Sequence, residues 1–104
     1  METLLLDGAL SAIFGKRHVD RDSLIELRKE VEILSKKIDL DERELFIIEH
    51  RLKTRLTLES IGEKLGGITR ERVRQLEFRA GNKIKKVLIK KGQTHILSFK
   101  IKMS

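Results

Sequence analysis

The doublet Gly66-Gly67 constrains this chain more than any other feature. Apolar residues recur at helical spacing on both sides of it, and only Gly66, Gly67 and Ile68 separate Leu65 from Thr69. Glycine adopts the left-handed backbone that closes a helix. Two helices joined this closely must cross steeply, so residues 57–86 read as a helix-turn-helix. In the second helix Val73, Leu76, Ala80, Ile84 and Val87 fall on one stripe, the expected core face. Glu71, Arg74, Gln75, Phe78 and Asn82 lie opposite, flanked by Arg70 and Arg79. Basic residues continue at Lys83, Lys85, Lys86, Lys90 and Lys91.

Three helix starts share one pattern, in which an apolar residue, a capping residue and a second apolar residue four positions after the cap follow in order. The first is Leu40-Asp41 with Leu45, where Glu44 completes a capping box. The second is Leu56-Thr57 with Ile61, and the third Ile68-Thr69 with Val73. The helix that follows Asp41 is expected to bury Leu45, Ile48 and Leu52 and to show Arg43, Glu49 and Arg51.

Upstream, Leu4, Leu5, Leu6, Ala9, Leu10, Ile13 and Phe14 suit a short amphipathic helix ending at Gly15. Residues 16–22 read as a polar linker. Leu24, Leu27, Val31, Leu34 and Ile38 then form a heptad-like seam over about two heptads, shorter than a coiled coil needs. Such a seam packs on its own domain or on a second copy or partner helix. Past Gly92, residues 97–101 alternate apolar and polar and hint at a strand. The expected architecture is all-α. A helical extension (1–38) precedes a small helix-turn-helix domain (39–91) and a tail (92–104).

The chain has 104 residues and no proline, tryptophan, tyrosine or cysteine. Without cysteine there is neither a disulfide nor a thiolate metal site, which fits a reducing, cytoplasmic setting. No apolar run approaches the roughly 20 residues of a membrane span. Met1–Gly15 carries Glu2 and Asp7 and lacks the basic start of a signal peptide. Net charge is +7, but residues 1–56 hold 11 Lys/Arg against 12 Asp/Glu, whereas residues 57–104 hold 12 against 4. A basic field confined to one half points to a polyanion, nucleic acid before a membrane surface. His18, His50 and His95 have no metal-ligand spacing, and no nucleophile–base pair or phosphate loop is present. Neither catalysis nor a cofactor is expected.

The outward face of the second helix carries the chemistry. Arginine can donate twice to guanine O6 and N7, glutamine pairs similarly with adenine, and glutamate accepts from cytosine N4. Arg70, Glu71, Arg74 and Gln75 occupy the first two turns, the part of such a helix that enters the major groove. The same residues could instead form a surface ion-pair network. Phe78 on this face is expected either to meet a thymine methyl or, preferably, to lie under the N-terminal segment.

The sequences LDERELFIIEHRL, TLESIGEKLG and ITRERVRQLEFRA together strongly resemble the C-terminal, −35-reading domain (region four) of housekeeping-type bacterial sigma factors. The resemblance covers residues 39–88, and TRERVRQLE is its most specific part. It implies two partners, double-stranded promoter DNA and the β flap of core RNA polymerase, with a sigma or anti-sigma partner as a further option. Carried over by position, Arg70, Glu71, Arg74 and Gln75 would read bases. Arg43, Arg51, Thr57, Thr69, Arg79 and Lys83 would hold phosphates, and Leu45, Ile48 and Leu52 would form the flap groove.

The chain departs from the family at four points. Its GGIT turn has one extra residue, and Ser60 stands where a capping-box glutamate is usual. Phe78 and Gly81 replace helix-forming, non-aromatic residues, and Gly81 is expected to cost up to about 1 kcal/mol relative to alanine. With four phenylalanines as its only aromatics and a short N-terminal part, the chain is not expected to melt promoters alone. That suits a fragment, a stand-alone homologue or one half of a split sigma factor. The competing function is a protein-interaction module that binds the flap or a sigma partner with little DNA binding.

Overall fold

A computed structural model describes residues 3–54 and 56–90; the tail residues expected to form a strand, and Lys91, lie outside them. Two short strands, β1 (Leu4–Leu5) and β2 (His18–Val19), pair antiparallel with Leu4 opposite Val19. Between them runs α1 (Gly8–Phe14). Then come α2 (Arg21–Ser35), α3 (Glu42–Glu49), α4 (Leu58–Lys64) and α5 (Arg70–Lys90). The all-α expectation holds, since the two strands contribute only four residues.

The N-terminal segment differs from the expectation in its first turn. Leu4 and Leu5 are not helical, because the Leu6 N–H donates to Arg17 O at 2.9 Å and holds the segment extended against residues 17–19. The reading of residues 16–22 as linker is corrected for the same reason: His18 and Val19 form β2, and Val19 is buried. The helix does end at Gly15, whose φ of 84° suits glycine and whose N–H donates to Ser11 O.

The capping signals are realised at all three starts. Asp41 accepts the Glu44 N–H at 2.8 Å while Glu44 Oε1 accepts the Asp41 N–H at 3.0 Å, a complete capping box. Thr57 Oγ1 accepts the Ser60 N–H at 3.1 Å, and its hydroxyl donates to Ser60 Oγ, the residue standing in for glutamate. Thr69 Oγ1 accepts the Arg72 N–H at 3.1 Å. A further cap, Asp20 on the Ser23 N–H, starts α2.

Two apolar clusters organise the chain. The larger joins Leu6, Leu10, Ile13 and Phe14 with Leu24, Leu27 and Val31 of α2, Ile48 of α3, and Ala80, Ile84 and Leu88 of α5. The seam of α2 is therefore used within the chain, with Leu34 and Ile38 packed on its edge. The smaller cluster joins Ile47, Ile61, Val73 and Leu76, and so ties α3, α4 and α5 together.

α3 contributes to both clusters through adjacent residues, which corrects its expected face. Ile47 and Ile48 are wholly enclosed and Glu44 is buried beside them, while Leu45 and Leu52 are half-buried. The helix then widens into a π turn, His50–Thr54, which rotates Leu52 away from the register of a continuous α-helix. On α5 the expected stripe runs one residue further round. Leu88 is core and Val87 half-buried, and the stripe also includes Glu77 and Gly81.

Gly81 explains itself at the contact between α1 and α5. A Cβ there would fall 2.7 Å from Ala12 Cβ and 3.0 Å from Ala9 O. The residue that weakens an isolated helix is what lets α1 lie directly on α5.

Candidate nucleic-acid interface

The turn between α4 and α5 is built on the carbonyl of Gly62. It accepts the N–H groups of Gly67 (2.9 Å) and Ile68 (3.1 Å), which draws the chain back across the end of α4. Gly66 and Gly67 have φ of 92° and 85°, so two successive residues take the left-handed conformation. Any Cβ on Gly62 would run into Ile68 O, which makes a third glycine necessary. Beneath the turn, Ile61, Val73 and Leu76 meet Ile47 and fix the position of α5.

With Val73 and Leu76 turned inward, Arg70, Glu71, Arg74 and Gln75 are all exposed. Arg70, Glu71 and Arg74 border one concavity together with Thr57, Glu59 and Arg51. Within it the charged groups pair. Arg74 reaches Glu71 through two contacts, Nε to Oε2 at 3.0 Å and Nη2 to Oε1 at 2.6 Å. Arg70 Nη1 lies 3.5 Å from Glu59 Oε1. The hydrogen bonds from Arg74 hold the Glu71 carboxyl below its usual range, and Glu71 in turn raises the Arg74 guanidinium. Both side chains are more than half exposed, so solvent screens the pair and little opposes its exchange for other partners. Arg70, Glu71 and Arg74 thus belong both to the ion pairs and to the exposed polar set.

The residues expected to hold phosphates are placed in three ways. Arg43 and Arg79 are exposed on α3 and α5, and Thr57 and Thr69 sit at the N-caps of α4 and α5. Arg51 borders the concavity but is anchored, with Nε donating to Glu77 Oε2 at 2.9 Å and Nη1 to Leu56 O at 3.1 Å. Lys83 is brought to the buried Glu44, Nζ to Oε1 at 2.6 Å. Of the three groove residues, Ile48 is enclosed in the larger cluster, while Leu45 and Leu52 retain some surface.

Phe78 corrects the expectation that the N-terminal segment covers it. That segment packs against α5 at Glu77, Ala80, Gly81 and Ile84, on another side of the helix, and leaves Phe78 53% exposed. Sequence reasoning missed Arg72 and Glu77, and the burial of the capping-box residue Glu44. Arg72 is exposed beside Gln75, its Nη1 3.4 Å from Gln75 Oε1. Glu44 and Glu77 are buried carboxylates, and a carboxylate on the apolar stripe of an otherwise basic helix was the available signal for Glu77.

Fold and surface define a small all-helical protein built on a helix-turn-helix with an exposed arginine-rich second helix. Residues 39–86, from the start of the α3 cap to α5, match the family described as Sigma-70, region 4. The segment resembles region four of bacterial RNA polymerase sigma factors, as its motifs implied. The RNA polymerase sigma-B factor of Myxococcus xanthus is 35% identical over 100 residues, covering 82% of this chain and 40% of that protein. The sigma-C factor of the same organism is 50% identical over 52 residues, 48% of this chain and 17% of that protein. The chain therefore spans less than half the length of either relative. No solved structure gives a significant match. Among the described residues no helix is long and apolar enough to cross a membrane.

Proposed function

We propose that this chain acts in transcription initiation by binding double-stranded promoter DNA, with the first two turns of α5 in the major groove and RNA polymerase as its protein partner. The observation that carries the reading is the placement of Arg70, Glu71, Arg74 and Gln75. All four are exposed on a helix held from behind by Val73 and Leu76. Their donors and acceptors suit base edges. Thr57, Thr69, Arg43 and Arg79, all exposed, would contact phosphates, with Arg51 presented by its anchor. The resemblance to region four supports a −35-like element as the target and the polymerase flap as the docking partner. Docking would use Leu45 and Leu52, at the margin of the enclosed Ile48.

The test is selection of duplexes from a random pool by the whole chain, with and without the isolated flap domain. A −35-like sequence should be enriched. Arg74→Ala should then relax preference at one base pair and cost roughly 1–3 kcal/mol there. Flap capture without any enriched duplex would instead support the alternative, an interaction module with little DNA binding.

A further inference from the structure

We infer that Phe78 reads the 5-methyl group of a thymine, at the base pair beyond those met by Arg74 and Gln75. The inference rests on the promoter-binding reading above and adds a specificity-determining residue to it. Phe78 lies four residues after Arg74 and three after Gln75, so it shares their side of α5, one helical turn further on. At 53% exposure it is a large apolar side chain left in water on an otherwise polar face.

Its surroundings select the kind of partner. Arg72, Arg74, Gln75 and Arg79 border a shallow depression with Phe78. An apolar protein surface covering the ring would strip water from three guanidinium groups without replacing it, which is costly. A duplex supplies phosphates to those groups instead. Within the major groove, base edges offer donors and acceptors that phenylalanine cannot use. The thymine methyl is the apolar group available there. Charge complementarity around the ring and the chemistry of the ring itself therefore converge on one target.

The experiment uses the full chain and its selected duplex, replacing each thymine in turn by deoxyuridine, which removes only the methyl. At one position the wild-type chain should lose about fourfold in affinity, the effect of burying one methyl-sized group. Phe78→Ala should bind the thymine and deoxyuridine duplexes equally at that position. Since Phe78 is exposed, the variant keeps its fold, checked by an unchanged helical signal. Insensitivity of the wild type at every thymine would overturn the inference and leave promoter binding intact. So would an equal fourfold loss in Phe78→Ala. Failure to bind any duplex would overturn both readings together.

Discussion

Arg51 and Glu77 join three parts of the chain at one point. Arg51 Nε, on the widened turn after α3, donates at 2.9 Å to Glu77 Oε2 in the middle of α5. Glu77 is 3% exposed, and both of its carboxylate oxygens lie 2.7 Å from where a Cβ on Gly8 of α1 would stand. Gly8, with φ of 54°, admits the carboxylate because it has no side chain.

Removing the cation leaves that carboxylate enclosed without its ionic partner. Arg51→Ala should therefore destabilise the protein by about 3 kcal/mol, the low end for breaking a buried pair because Arg51 is partly exposed. Urea denaturation measures this. An unchanged midpoint would show that the pair contributes no net stability.

Lys83 and Glu44 form a second bond of this kind between α3 and α5. Lys83→Met should cost about 2 kcal/mol, and adding Glu44→Gln should recover part of it, because the buried charge is then gone. The Gln oxygen can still accept the Asp41 N–H. If Lys83→Met leaves stability unchanged but flattens the salt dependence of DNA binding by about one phosphate, Lys83 serves the duplex instead.

Gly81→Ala separates helix propensity from packing. Propensity favours alanine by up to about 1 kcal/mol. The collision with Ala12 Cβ and Ala9 O opposes it, and overpacking of about 1–3 kcal/mol should win. Thermal denaturation should show a lower midpoint. Combining it with Ala12→Gly should restore only part, since the Ala9 carbonyl remains in the way. A higher midpoint for Gly81→Ala would mean that α1 moves aside.

Asp41 sets an acid limit on α3. Its carboxyl is held below the ordinary value of 3.8, first by the Glu44 N–H it accepts. A carboxylate depressed in the folded state contributes fully above its unfolded value, and that contribution is lost as pH falls through the folded value. The stability difference between wild type and Asp41→Asn should therefore be flat above about pH 5 and shrink below it, since asparagine caps without titrating. Denaturation midpoints across that range provide the check. A difference that shrinks near neutrality would assign the effect to another group.

Local chemistry was legible at the helix starts. Asp41, Thr57 and Thr69 cap where their spacing placed them, because each cap is satisfied by the N–H three residues on. The exposed set on α5 was legible for the same reason, since it follows from the period of a single helix. Contacts between distant elements were not. The family resemblance implied phosphate contacts for Lys83 and Arg51, and gave no sign that each would meet a buried carboxylate on another helix.

The sequence alone determined the helix-turn-helix and its outward residues, through glycine conformation, capping and periodicity, all short-range effects. Tertiary structure decided the rest. It set Glu44 and Glu77 inside, used the α2 seam within the chain, turned Gly81 from a weakness into a contact and left Phe78 uncovered. Those outcomes depend on which surfaces meet, and a burial free energy shared among five helices fixes that choice, which no single segment encodes.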